Sequence, residues 1–241
     1  MRRFLHRTHI WLGWIIGGQL FLWMLSGLVM TALPIGEVRG EHLRREAPAR
    51  LLAGLSGLAP PEALLQQAGP KGDGLLLKWL GDTPVYLLLD GKEPRALLDA
   101  RTGAPIRIDA TRAAGIALNA HVGDPRIDSV VQIDPANPPL EFRRDAPAFA
   151  VRFDDGEGST FYVHAISGEI LAVRTDRWRL FDLMWGLHIM DWRGREDMNH
   201  PLLFGAAALG LAGVTGGIAL LLLRQSRRGM RRTPARARGA A

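Results

Sequence analysis

The chain has 241 residues, 47% of them hydrophobic, a formal net charge of +6 and no cysteine. The missing cysteine excludes disulfides, thiolate metal sites, iron–sulfur clusters and the covalent attachment of c-type haem. The positive charge sits in two tails, Arg2, Arg3 and Arg7 at one end and seven arginines from Arg224 to Arg238 at the other. Residues 10–223 then hold twenty basic against twenty-four acidic residues, a net of −4, and offer no nucleic-acid-binding face.

Residues 1–9 form a short basic lead, and Ile10 to Leu33 follow as twenty-four residues without a charge. As a helix this run covers roughly 36 Å, enough to cross a hydrocarbon core. Helix is also the state that satisfies the backbone inside lipid. A cleaved signal peptide is the alternative, but its apolar region would be about half as long and would end at a small-x-small site. An uncleaved anchor over 10–33 is therefore expected. Just before it stands His9, followed at one-turn intervals by Gly13 and Gly17 and preceded by one turn by His6. Two readings stand: a GxxxG notch for helix packing with a histidine at its edge, or a histidine beside a bare surface that admits a flat cofactor.

Pro34 and Gly36 end the run, and residues 34–200 are long enough for a folded domain. An internal repeat organises it. Residues 83–106, TPVYLLLDGKEPRALLDARTGAPI, and 146–171, APAFAVRFDDGEGSTFYVHAISGEIL, share a small-Pro-apolar-aromatic opening, an Asp-Gly turn and an Ala-x-(Thr/Ser)-Gly close. Asp90-Gly91 and Asp155-Gly156 are hairpin signals. Helix-like stretches at 61–68 and 110–120, and candidate strands at 75–80 and 129–133, precede the hairpins. Two units of helix plus antiparallel strands are predicted, over about 61–106 and 110–171.

Residues 178–192 place Phe181, Trp185, His188 and Trp192 on one helical stripe, as in a helix lying at a membrane surface. Asn199 is a candidate cap for the next helix, with Pro201 in its first turn. Residues 201–223 are a second apolar run with five glycines, suited to close helix contact. Residues 224–241 are an arginine-rich tail. Basic flanks on both runs place both termini in the cytoplasm and the domain between them in the periplasm of a bacterial inner membrane.

The order of these features resembles the PepSY domain and PepSY-associated transmembrane proteins. The residues that carry the resemblance are His9, Trp11, Leu12 and Gly13, then Asp99, Ala100, Thr102 and Gly103. Gly186-Leu187-His188 and Asn199-His200-Pro201-Leu202-Leu203 complete it. The larger relatives have four or more spans against two here, and the second repeat reads His164-Ala165-Ile166-Ser167-Gly168, without the Asp and Thr of the first. The expected fold is membrane α+β: two transmembrane helices flanking a periplasmic domain of two PepSY-like repeats. The resemblance implies a component that supports iron, siderophore or other metal acquisition, since some larger members are haem-bearing ferric-siderophore reductases.

No phosphate-binding loop, dinucleotide fingerprint or hydrolase nucleophile motif is present. His42, His121 and His164 read as surface or satisfied core residues. A b-type haem needs imidazole on iron and a surface from which side chains retreat. His9, with His6 as competitor and Gly13 and Gly17 as the recess, offers this near the cytoplasmic end; His188 offers it near the other. The ends of a span lie about 30 Å apart, so one haem cannot join them, and a homodimer pairing His9 with His9 and His188 with His188 is the expected arrangement. Association with another membrane protein, and a periplasmic ferric complex as electron acceptor, go with this reading. The alternative is a non-enzymatic tethered module that binds a periplasmic protein, with the histidines as interfacial anchors.

Overall fold

The computed structural model describes residues 2–45, 52, 54–68 and 72–231. It divides into two units, one made of Met1–Ala32 with Asp182–Ala241 and the other of Leu33–Phe181. The first is helical. Helices α1 (Arg2–Ala32) and α6 (Pro201–Arg231) have 31 residues each, and their segments Gly13–Ala32 and Pro201–Ala219 are long and apolar enough to cross a membrane. Unlike the core helices of a water-soluble protein they leave their apolar side chains uncovered, only 6% of each segment being buried. They touch where α6 lacks side chains: a Cβ on Gly210 would lie 3.5 Å from Leu20, and one on Gly213 would lie 3.9 Å from Ile16. Pro201 opens α6, but the side chain on its first turn is His200, whose Nδ1 accepts the Leu203 N–H at 3.3 Å while its Nε2–H donates to the Ile189 carbonyl at 2.8 Å.

The Leu33–Phe181 unit is α+β. After the short helix α2 (Ile35–Val38) and a 3₁₀ turn at Glu41–Leu43 come two modules of the same build. The first is α3 (Pro61–Ala68) followed by β1 (Gly74–Leu80), β2 (Thr83–Asp90), β3 (Glu93–Asp99) and β4 (Pro105–Ile106). The second is α4 (Ala110–Ala120) followed by β5 (Arg126–Ile133), β6 (Ala148–Asp154), β7 (Thr160–His164) and β8 (Ile170–Arg174). Each sheet is a four-stranded antiparallel meander in chain order. Asp109 caps α4 by accepting the Arg112 N–H at 2.8 Å.

The modules match bond for bond at their closing turns. Ala100 N–H donates to the Pro84 carbonyl at 3.0 Å and Ala165 N–H to the Pro147 carbonyl at 2.8 Å; Gly103 and Gly168 N–H reach back to the carbonyls of Asp99 and His164 at 2.8 and 3.0 Å. Both glycines have positive φ, 72° and 69°. Each turn rests on its own module's helix, since a Cβ on Gly103 would meet Leu64 of α3 at 2.9 Å and one on Gly168 would meet Ile116 of α4 at 3.2 Å. The hairpins differ: β2 and β3 turn through two residues at Gly91, whereas β6 and β7 need the five residues Asp155–Ser159.

One core joins the modules, with Val85, Leu87 and Leu97 of the first sheet, Phe149, Val151, Phe161 and Val163 of the second, and Ala113 and Ala117 of α4. Alternation then sends Tyr86 to the far side, where it packs with Leu64 and Ala100. Tyr162 likewise packs with Ile133, Phe142 and Ala148. On that outer face Glu141 accepts from Tyr162 Oη–H at 2.7 Å and Arg179 Nε–H at 2.8 Å, and Arg174 lies 4.2 Å over the Trp178 ring. Burial alone would raise the Glu141 pKa, but the Arg179 and Tyr162 hydrogen bonds outweigh it and hold the carboxyl below its ordinary range.

Helix α5 (Asp176–His188) is shorter than the predicted 178–192 stretch. Met190 adopts φ 58°, and its N–H donates to the Leu187 carbonyl while Asp191 N–H donates to that of Gly186 at 3.1 Å. This pair of bonds is a Schellman ending. Trp192 therefore lies beyond the helix and is 60% exposed. Asp191 then gathers backbone N–H groups, those of Glu196 and Gly194 foremost, which hold its carboxyl down to about 2.

Candidate functional site

His188, in the last turn of α5, meets α1 at Ser26. Ser26 is 1% exposed, and its hydroxyl lies 2.7 Å from the Leu22 carbonyl and 3.1 Å from that of Trp23. A serine in an apolar helix commonly gives its one proton to the preceding turn in this way. The Ser26 oxygen is left as the acceptor for His188 Nδ1 at 3.1 Å. That bond assigns the proton to Nδ1 and leaves Nε2 with its lone pair, the state in which an imidazole serves as a ligand or takes a proton. The ring lies against the helix at Gly27, where a Cβ would make ordinary contact with His188 Cε1 at 3.7 Å.

The Gly186 that precedes His188 by two residues has another use. A Cβ on it would meet the Arg195 stem at 2.9 Å. Arg195 closes the loop onto α5, with its guanidinium 2.6 Å from the buried Asp182 carboxylate and its carbonyl accepting Trp185 Nε1–H at 3.0 Å.

At the other end of α1, Gly13, Gly17 and Gly18 have nothing within 4 Å of where a Cβ would be. They floor an open groove of about 490 Å³ walled by Ile10, Trp14 and Phe21. The α1–α6 contact does not use it, since Ile16 and Leu20 fill that role. His6 and His9 occupy helical positions in α1, but their side chains lie outside the described residues. Ser26, His188's partner, is seventeen residues beyond His9, roughly 26 Å along the helix.

The domain histidines are committed to structure. His121 is buried; its Nδ1 accepts the Gly123 N–H at 3.0 Å and its Nε2 faces Asp155 at 3.3 Å. His164 Nδ1 accepts two backbone N–H groups, from Ile166 at 3.1 Å and Ser167 at 3.0 Å. Burial lowers the His164 pKa. His42 Nε2 pairs with Glu157 at 3.0 Å. Among the described residues, no three His, Asp or Glu side chains are grouped to hold a metal ion.

Sequence reasoning singled out His188 and the glycines but missed Ser26 and Gly27. Their signal is faint: a hydroxyl and a glycine, side by side, in the last third of an apolar run. No known protein family, characterised protein or solved structure matches the chain.

Proposed function

We propose that α1 and α6 span a bacterial inner membrane with both termini in the cytoplasm, holding a periplasmic domain of two PepSY-like repeats. We propose further that the chain is a b-type haem electron-transfer component supporting iron, siderophore or other metal acquisition. The observation that carries this reading is His188, with Nδ1 engaged by Ser26, Nε2 without a hydrogen-bond partner among the described residues, and its ring beside Gly27. Haem b, when bound, supplies one-electron exchange at its iron. The chain's part is to present imidazole from His188 and His9, with His6 as the competing donor, to keep Gly13 and Gly17 clear of side chains, and to exclude water with Trp14 and Phe21. The distance along α1 between His9 and Ser26 keeps the two ends separate, so a homodimer pairing each histidine with its mate is the arrangement that completes both.

Expression with haem supply tests this. The purified protein should be red, with a low-spin b-type spectrum that His9→Ala abolishes, from which His188→Ala removes a separately titrating component, and which His42→Ala leaves unchanged. Haem bound by a monomer would contradict the dimer, and a folded colourless protein would overturn the haem reading. Reporter fusions test the topology: periplasmic after Gly40 and cytoplasmic after Arg232.

A second reading, a tethered module that binds a periplasmic protein, is favoured by a groove of about 380 Å³ in the domain. Arg95, Arg107 and Gln132 line it with Phe149 and Ile166, beside the two-residue edge strand β4. An apolar floor under a polar rim at a sheet edge suits an extended peptide.

A further inference from the structure

Strand β5 is an outer strand of the second sheet, bonded to β6 on one side only. In an antiparallel ladder, successive residues point their backbone groups alternately to the two sides. Phe153 N–H donates to the Ser159 carbonyl at 2.9 Å and Ala165 N–H to the Pro147 carbonyl at 2.8 Å. In the register between them the odd residues of β6 therefore bond to β7, and Ala148, Ala150 and Arg152 bond to β5. Their partners there are Ile133, Val131 and Ser129. Val130 and Gln132 then turn their N–H and C=O groups away from the sheet, and no described residue bonds to them. Folded proteins commonly blunt such an edge with charge, proline or a bulge. The bulge and charge at Asp128 stop short of residues 129–133, which are uncharged, and Val131 is 55% exposed.

The groove of about 380 Å³ adjoins this edge, with Gln132 in its wall. Both sheets line it: Leu97 and Ile106 come from the first, Phe149 and Ile166 from the second. Two arginines line it and no acid does. Arg95 is tied to Asp90, whereas Arg107 is exposed and forms no ion pair among the described residues.

We propose that the free edge of β5 takes an extended segment of a partner protein as an added strand, apolar at alternate positions and acidic where it meets Arg107. Free N–H and C=O groups that recur at every second residue are matched by an extended backbone, which carries both along its length. Its alternate side chains then reach the apolar groove, and a carboxylate answers the Arg107 guanidinium. Residues 129–133 of a second copy carry no charge and would leave Arg107 unanswered. The inference rests on the tethered-module reading and gives its partner a chemistry.

The full-length protein in phospholipid nanodiscs is panned against randomised peptides displayed on phage, and an enriched peptide is synthesised and titrated by fluorescence anisotropy. Enriched sequences should alternate apolar with polar residues and carry Asp or Glu. Gln132→Pro removes an outward N–H at a sheet edge while sparing the bonds to β6, and should weaken binding about tenfold. Gln132→Leu keeps that N–H and should bind as wild type does. Arg107→Glu should weaken the acidic peptide about tenfold, and lysine in place of the peptide's acid should restore binding. Circular dichroism establishes that each variant is folded. Methylating the peptide's own backbone nitrogens leaves the protein untouched: methyl groups on one alternate set should abolish binding, and those on the other should spare it. The proposal alone is overturned if peptides are enriched but Gln132→Pro and Arg107→Glu bind them as wild type does, or if both methylated sets bind alike. The tethered module would then hold its partner elsewhere. Failure to enrich any peptide overturns both the proposal and that reading. A dimer lost on Gln132→Pro, with no peptide enriched, would likewise overturn them and give the edge to a second copy of the chain.

Discussion

His164 does with an imidazole what Asp99 does with a carboxylate. Asp99 Oδ1 accepts the N–H groups of Arg101 and Thr102, both at 2.9 Å, and His164 Nδ1 accepts those of Ile166 and Ser167. The hydroxyl three residues on repeats too, with Thr102 Oγ1 accepting from Ala104 N–H and Ser167 Oγ from Glu169 N–H. The electrostatic consequences diverge. The Thr102 and Arg101 N–H groups stabilise a charged acceptor and lower the Asp99 pKa. At His164 burial, together with two donors on the ring nitrogen, favours the neutral form. Because the folded pKa lies below the unfolded value near 6.5, the unfolded chain takes up the proton first, and stability falls as pH drops below that value. His164→Asn keeps an acceptor for both N–H groups without titrating, and chemical denaturation between pH 7 and 5 should show a shallower loss than wild type. At the neighbouring glycines, Gly103→Val or Gly168→Val forces a β-branched side chain into positive φ and into Leu64 or Leu80. Each should cost the domain roughly 2 kcal/mol or more, read in the same denaturation curves.

The helices raise a different question, which of their bare faces is in use. On α6, Gly210 and Gly213 receive Leu20 and Ile16, whereas Gly216 and Gly217 have nothing within 4 Å. Gly210→Leu should therefore separate α1 from α6 and lower the unfolding temperature in detergent, at a cost of about 1–3 kcal/mol. Gly216→Leu should leave it within a degree or two of wild type, and equal effects would mean that the helices do not meet at Gly210. A cation, Arg195, helps to hold the end of α5. Arg195→Ala removes the guanidinium from the buried Asp182 carboxylate together with the stem packed on Gly186, an expected loss of about 2–3 kcal/mol in the same assay. Asp182→Leu combined with Arg195→Met should recover part of it.

In the domain as a whole, both sheets and α4 share one core. The modules also join through Lys78 and Glu169 at 2.7 Å and through Leu80 against the Gly168 turn. Two incomplete modules that bury one another's faces form a single cooperative unit, so residues 34–181 expressed alone should fold and unfold in one transition. Their acid limit follows from the carboxylates. Asp99, Glu141 and Asp155 all have lowered pKa values, so each contributes stability above the unfolded range near pH 4 that is lost as pH falls through its folded value. The His164 contribution is lost earlier. The stability profile should fall in two steps, and His164→Asn should remove only the upper one; a single step at low pH in both proteins would contradict this assignment.

Length, hydropathy and turn chemistry determined the parts of the fold that depend on local sequence. The two apolar helices, α3 and α4 at their predicted residues, the paired hairpins and the positive φ at Gly103 and Gly168 all follow from periods, caps and glycines that act within a few residues. Only the tertiary structure decided which groups meet across distance. Ser26 and His188 are 162 residues apart, and nothing near either one states that a helix hydroxyl orients the ring. Whether Gly13 and Gly17 serve α1–α6 packing or stay open was undecidable from the α1 sequence alone, because the choice depends on which face α6 covers. The predicted helix over 178–192 continued past His188 because the aromatic stripe keeps its period; Met190 ends it, taking a left-handed turn that favours glycine and that the loop's bonds to Gly186 and Leu187 hold in place. Gln19 and Trp23 read as one polar residue and one aromatic in an apolar run. That their N–H groups are buried without a hydrogen-bond partner among the described residues emerges only in the folded chain, because burial removes the solvent that would otherwise serve as the partner.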